Sequence, residues 1–218
     1  MTGQLIDLSH IVEHGMVTYQ SLPAPVISDH LSRAASRSHY APGTEFHIGK
    51  IEMVANTGTY VDSPFHRFPD GMDLSELPLE SLANLPGIVV PALHCGSSIN
   101  REAFTGLDLG GRAVLVHTGW ARHWGSEHYY HGHTYLTVEA AAFLVEAGAS
   151  LVGIDSYNID DTRDGSRPVH TRLLAANIPI CEHLCNLESL PPNGFRFHAV
   201  PVKVKDFGTF PVRAYACL

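Results

Sequence analysis

A mixed α/β fold with more strand than helix is predicted by the sequence, on three observations. Short apolar runs rich in β-branched residues alternate with glycine and proline through most of the 218 residues. One well-capped helical stretch leads directly into such a run. Both ends of the chain are β-rich, which predicts that they meet in one sheet. In chain order, FHIGKIEMVAN (46–56) reads as a long strand ending at Thr57-Gly58. SELPLESLANLP (75–86) is leucine-spaced but carries a proline, so only short helix is expected there. GIVVPALH (87–94), GRAVLVHTG (111–119) and ASLVGIDS (149–156) are compact enough to be buried strands. TVEAAAFLVEAGA (137–149) reads as a helix capped by Thr137 and ended by Gly148, which makes an αβ unit with the strand that follows. HTRLLAANI (170–178) suits a short amphipathic helix, and FHAVPVKVK (197–205) with TFPVRAYAC (209–217) suggests a hairpin about Asp206-Phe207-Gly208, its prolines favouring sheet edges.

Composition narrows the function classes. Fourteen Lys and Arg against 22 Asp and Glu leave a formal charge of −8, the wrong sign for a nucleic-acid or anionic-membrane surface. No apolar run approaches the roughly 18–20 residues that cross a bilayer, and MTGQLIDLSH does not resemble a signal peptide, so a cytoplasmic protein is expected. The length suits a single domain over 1–218. Cys95, Cys181, Cys185 and Cys217 contain no Cys-x-x-Cys pair; Cys181 and Cys185, four apart, read as buried free thiols sharing a helix face. No glycine-rich nucleotide loop and no Gly-x-Ser-x-Gly elbow occurs. Fifteen histidines slightly outnumber the lysines and arginines together, which turns attention to metal and acid–base chemistry.

Three polar clusters interrupt the apolar pattern. In Asn56-Thr57-Gly58-Thr59-Tyr60-Val61-Asp62-Ser63-Pro64-Phe65-His66-Arg67, glycine permits a tight turn and proline stiffens the approach to His66. Side chains at 60, 62 and 66 can converge at a strand end, and an Asp four residues before a His suits a metal site or an oriented general base. A solvated polar loop is the plainer reading. Gly153-Ile154-Asp155-Ser156-Tyr157-Asn158-Ile159-Asp160-Asp161, leading to Arg167-Pro168-Val169-His170, has carboxylates that bind a cation, hold a loop or form turns. Ile180-Cys181-Glu182-His183-Leu184 sets a glutamate among apolar residues, costly to bury unless paired or metal-bound. His183 reads as a packing residue.

Residues 56–66 align without a gap to the pattern His-x-Gly-Thr-His-x-Asp-x-Pro-x-His. By this pattern the chain resembles the cyclase superfamily of metal-dependent hydrolases, to which bacterial kynurenine formamidase and isatin hydrolase belong. Ile6-Asp7-Leu8-Ser9, Leu115-Val116-His117-Thr118-Gly119-Trp120, Gly153-Ile154-Asp155 and the His170/Glu182 pair extend the likeness across nearly the whole chain. The resemblance implies a swivelling β/β/α domain with a β-barrel-like core and peripheral helices. It also implies a homodimer or homotetramer and a site holding two divalent ions. Two of the pattern's histidines are replaced here, by Asn56 and Tyr60. The first ion thereby loses two of its three ligands, while Asp62, His170 and Glu182 remain as the set for a single Zn or Mn per chain.

The resemblance further implies hydrolysis of a small amide, formamide or lactam. His66 matches the family's acid–base position, and Tyr60 is expected to hydrogen-bond the substrate. Tyr19, Phe46, Phe65 and Trp120 are candidate pocket walls or core residues. The rival readings are a metal-poor relative that binds a small ligand without turnover, and a metal-assisted lyase or isomerase with His66 as base.

Overall fold

The computed structural model describes residues 3–218. Its strands are β1 (Leu5–Asp7), β2 (Val26–Leu31), β3 (Ile48–Glu52), β4 (Tyr60–Asp62), β5 (Leu85–Pro91), β6 (Ser98–Ile99), β7 (Ala113–His117), β8 (Tyr135–Leu136), β9 (Leu151–Ile154), β10 (Ile180–Glu182), β11 (Asn193–His198), β12 (Thr209–Pro211) and β13 (Tyr215–Cys217). The helices are α1 (Arg33–Ser36), α2 (Val138–Glu146) and α3 (Pro168–Ala175). Nine strands form one curled half-barrel sheet in the order β1-β13-β11-β5-β7-β9-β10-β4-β12. Among the described residues, no helix is long and apolar enough to cross a membrane.

The three runs expected as buried strands become β5, β7 and β9, which pair in parallel at the centre of the sheet. Covered on both faces, such strands need apolar residues at every position, which is why they read as unbroken runs. Val114, Val116, Val152 and Ile154 point to the face packed by α2 and α3; Ala113, Leu115 and Leu151 point to the opposite core. Each of those larger side chains is fully buried and contributes roughly 1.5–3 kcal/mol by leaving water. Thr137 caps α2 by accepting the Ala140 N–H at 3.2 Å, and Gly148 follows in the left-handed region at φ 74°. The two chain ends do meet, with Ile6 opposite Ala216.

Several local expectations need correction. The segment 46–56 does not run into the 56–66 motif as one strand. Its strand stops at Glu52 and pairs only with β2 in a separate, exposed two-stranded ribbon; the motif supplies its own strand, β4. The C-terminal segments are not a hairpin. β11 and β13 pair with each other, but Thr209–Pro211 crosses to the far edge of the sheet and pairs with β4. Backbone carbonyls at the supposed turn serve this crossing: the Phe207 carbonyl accepts from Leu74 N, and the Gly208 carbonyl from Ser63 N. The short helix begins at Pro168 rather than His170, because proline at the first helical position has no N–H to leave unpaired. Cys181 lies buried on β10 and Cys185 in the loop after it, so they share no helix; all four cysteines are free.

Candidate metal centre and acid–base site

The pairing of three short strands builds the site. In β4, Tyr60 lies opposite Glu182 of β10, and Asp62 lies opposite Thr209 of β12. Side chains alternate across a sheet, so Tyr60, Asp62, Glu182 and Thr209 share one face while Val61, Cys181 and Phe210 pack into the core on the other. α3 lies over that polar face and lowers His170 onto it. Asp62, His170 and Glu182 each present one donor atom, all within 4.8 Å of one another, and all three residues are buried. His170 Nε2 stands 3.6 Å from Asp62 Oδ2 and 3.8 Å from Glu182 Oε1.

Asp160 fixes the direction of His170. Its carboxylate accepts the Val169 and His170 backbone N–H groups at 2.7 and 3.0 Å, capping α3, and takes the His170 Nδ1–H at 2.6 Å. Nε2 is thereby turned towards the two carboxylates, the arrangement commonly found behind a metal-bound histidine. Among the described residues, Asp62 Oδ2 is buried with no hydrogen-bond partner. An orphaned carboxylate oxygen is costly in a protein interior, and a cation between it, Nε2 and Glu182 would relieve that cost. The donor set of two carboxylate oxygens and one imidazole nitrogen fits a divalent ion with open positions.

The electrostatics say the same. Burial alone would lower the His170 imidazole, but Glu182, Asp160 and Asp62 outweigh it and hold it up at about 10. Burial and the neighbouring Asp62 push the Glu182 carboxyl above its usual range, against the pull of His170 and Tyr60. Both shifts are upward, as expected of a pocket of two crowded carboxylates that wants positive charge.

His66 sits at the cavity side of the cluster, its side chain 36% exposed. The Thr209 hydroxyl lies between it and Asp62, donating to Asp62 Oδ1 and standing 2.8 Å from His66 Nδ1. An ionised carboxylate only accepts, so the threonine proton goes to Asp62, and His66 must donate Nδ1–H to Thr209. That leaves His66 Nε2 as a free lone pair, the tautomer a general base needs. Gly208 is required beside it, since a Cβ there would run into the His66 backbone. Gly58, at φ 66°, makes the turn that starts the motif.

Tyr60 is fully buried and donates its hydroxyl to Glu182 Oε2 at 2.6 Å. Burial, Glu182, Tyr19 and Asp62 all push its pKa far up, so it stays a neutral phenol. The Tyr19 hydroxyl lies 2.9 Å from the Tyr60 oxygen and accepts from Asn158 Nδ2 at 3.0 Å. Tyr60 therefore positions Glu182 with its single proton.

Asn56, Tyr60, His66, His170 and Glu182 line one cavity of about 250 Å³. Tyr19, Ser21, Leu22, Arg67, Asn158 and Arg167 complete its wall. Of the four aromatic residues expected as walls, only Tyr19 is there; Phe46 pairs with Tyr40 on the surface, and Trp120 packs with Tyr129 and Tyr157. Phe65 also lies outside the lining. Asp155 holds a loop, accepting from the Thr118 and Gly119 backbone at 2.6 and 2.8 Å. His183 packs as expected, 2.6 Å from the Tyr129 hydroxyl, with burial lowering its pKa to about 3. The sequence marks Asp160 only as one of several carboxylates suited to a cation, a loop or a turn, and it does not single out Thr209. A carboxylate ten residues before His170, next to a Pro-initiated helix, was a usable signal for the first; nothing local marks the second.

Residues 6–161 match the model of the Cyclase family ("Putative cyclase"). The chain belongs to the cyclase family. Among cyclase-family relatives, it is 26% identical over 214 residues to the kynurenine formamidase of Bacillus cereus, covering 98% of this chain and 97% of that one. It is 30% identical over 168 residues to the kynurenine formamidase of Salinibacter ruber, covering 77% and 78%. Among solved structures it resembles isatin hydrolase A from Labrenzia aggregata, with a TM-score of 0.83 at 22% identity over 100% of this chain and 94% of that one. A potential metal-dependent hydrolase with cyclase activity gives 0.80 at 23% identity, over 98% and 96%. These structural likenesses establish the cyclase fold.

Proposed function

We propose that this cyclase-family chain is a metal-dependent hydrolase of a small amide, formamide or lactam. The observation that carries the reading is the orphaned Asp62 Oδ2 facing His170 Nε2 and Glu182 Oε1. The kynurenine formamidase and isatin hydrolase names of its relatives supply the substrate class. A single divalent ion per chain, Zn or Mn, would be held by Asp62, His170 and Glu182. When bound it supplies a Lewis acid, polarising a carbonyl and making water more acidic.

The chain's own residues do the rest. His66 takes a proton from the attacking water at Nε2 and returns it to the leaving nitrogen, while Thr209 and Asp62 keep Nδ1 protonated and the ring in place. Tyr60 holds Glu182, and Asp160 holds His170. One ion rather than two is supported by Asn56 and Tyr60 standing where the family pattern has histidines, with the Tyr60 proton committed to Glu182. A homodimer or homotetramer is supported by the β2–β3 ribbon, which leaves Val26, Ile27, Ile48 and Ile51 exposed.

The test is metal analysis of the purified protein together with a panel of N-formyl arylamines and lactams. One equivalent of a divalent ion per chain is expected, with turnover that falls roughly 10²–10⁴-fold in His66→Ala while the metal stays. Two tightly held equivalents, or loss of metal from His66→Ala, would overturn the ligand set. No hydrolysis of any member by the loaded protein would overturn the activity.

A further inference from the structure

The hydrogen bonds behind Glu182 run in one direction. A carboxylate only accepts, so the 2.6 Å contact with Tyr60 takes the phenol's single proton. In its 2.9 Å contact with Tyr19, Tyr60 can then only accept, and Tyr19 must donate. Tyr19 in turn accepts from Asn158 Nδ2 at 3.0 Å. The Asn158 amide is oriented by its other end, where Oδ1 accepts the Asp160 N–H at 3.0 Å. The donors thus follow in the order Asn158, Tyr19, Tyr60, ending on Glu182 Oε2. The Tyr157 carbonyl, 3.1 Å from the Tyr19 oxygen, competes for the Tyr19 proton. It is the longer contact, and without that proton two phenol oxygens would face each other at 2.9 Å with no hydrogen between them.

Tyr19 is held from outside the chain of donors. The Val17 carbonyl accepts from the Tyr130 hydroxyl at 2.8 Å, Thr18 Oγ1 from the Gly58 N–H at 2.9 Å, and Gln20 Nε2 donates to Glu127 Oε1 at 2.8 Å. The loop on either side of Tyr19 is therefore tied to the rest of the fold, and the ring itself packs on Tyr157 with 4.8 Å between centroids. At the far end, Glu182 Oε1, the oxygen that faces His170, accepts the Ile159 N–H at 2.6 Å. Both oxygens of Glu182 are thus anchored, and the plane of its carboxylate is fixed. A hydroxyl that accepts while it donates is polarised, which strengthens the bond it gives. Tyr19 does this for Tyr60, and it also restrains the phenol from the side away from Glu182.

We infer that Tyr19 is a positioning residue for the metal ligand Glu182, acting through Tyr60, with Asn158 directing its hydroxyl. The inference rests on the metal reading above. Tyr19 also lines the cavity, so a wall residue and a metal ligand share one chain of hydrogen bonds.

The test is a double-mutant cycle on zinc affinity, measured by chelator competition with the purified protein. Tyr60→Phe should weaken binding about 10–100-fold, the usual scale for a group that orients a ligand. Tyr19→Phe should weaken it by about three- to tenfold, less because Tyr19 strengthens that bond rather than making it. The double variant should be no weaker than Tyr60→Phe alone, since Tyr19 then has nothing to act through. Tyr157→Phe removes a hydroxyl from the same aromatic cluster but outside the chain of donors, and should leave the affinity unchanged. Unchanged affinity in Tyr19→Phe overturns the inference. Losses that multiply in the double variant also overturn it, because Tyr19 would then reach Glu182 directly across their 3.4 Å contact or act through the Tyr157 carbonyl. An equal loss in Tyr157→Phe would assign the effect to packing and overturn it too. The same cycle on the metal-free protein, read by urea unfolding, should show midpoint shifts that likewise fail to add. If the parent takes up no divalent ion, the metal reading falls, while non-additive midpoints still uphold the chain of donors. If the parent binds one ion and Tyr19→Phe is silent in both measurements, the chain falls and the metal reading stands.

Discussion

Thr209→Val replaces a hydroxyl by a methyl of nearly the same shape at a position 2% exposed, so packing is preserved and hydrogen bonding alone is removed. Among the described residues the hydroxyl is the sole hydrogen-bond donor to the Asp62 carboxylate, whose Oδ2 has no partner there. A hydrogen bond to a charged group contributes about 1.5–3 kcal/mol. For a chain of this length, that corresponds to roughly 3–12 °C in Tm. The metal-free protein is the right material, since a bound cation would itself satisfy Asp62. Urea unfolding should show the loss in Thr209→Val and little of it in Thr209→Ser, which retains the hydroxyl. The loaded variant should also lose turnover, by about ten- to a hundredfold, because His66 no longer has an acceptor fixing its Nδ1 proton. If Thr209→Val stays within about 0.5 kcal/mol of the parent and keeps its turnover, the hydroxyl is not the link between Asp62 and His66.

Asp160→Asn should weaken metal binding by about 10–100-fold, since the amide cannot serve the His170 ring and the α3 backbone as a carboxylate does; chelator competition measures this, and an unchanged affinity would contradict it. His10 gives a pH dependence of definite sign. Burial lowers its pKa to about 4 from 6.5, so between those values the unfolded chain takes up a proton that the folded chain refuses. Stability therefore falls as pH drops from 6.5 towards 4, by at most about 3 kcal/mol from this group. His10→Phe, which keeps the stacking on Trp124 seen at 3.9 Å, should flatten that slope; equal slopes in both proteins would show that other groups set it.

The parts of the fold visible in the sequence were those whose surroundings are uniform. β5, β7 and β9 are buried on both faces, so their composition alone marks them, and Thr137 and Gly148 mark the ends of α2 through local backbone chemistry. The 197–217 region misled because a strand's partner is a tertiary choice. β12 has the composition of a hairpin arm, yet it bonds to β4, 147 positions away at the Thr209–Asp62 pair. The same distance hides Thr209 from any reading of the 56–66 motif. Asp62 and Glu182 stood out locally, as an Asp four residues before a His and as a glutamate among apolar residues, but their union with His170 in one set was legible only through the family pattern. Tyr60 shows the limit of that route: the pattern said which position had changed, and only the cross-strand pairing with Glu182 showed what the phenol does there.

The placement of β12 bears on how the chain reaches its folded state. The central strands β5, β7 and β9 follow one another between Leu85 and Ile154, each a far smaller loop closure than the one β12 needs, so they can associate early. Closing β12 onto β4 requires a loop of well over a hundred residues, and contacts of such separation slow folding. Until it closes, β4 is a bare sheet edge, with open backbone groups and with Val61 uncovered on its apolar side, which is a template for pairing with another chain. Once seated, β12 brings Pro211, which lacks an N–H and discourages a further strand from adding. The strand that carries Thr209 thus also guards the edge against self-association. Refolding at high protein concentration is where a weakened β12 should first show itself, as aggregate.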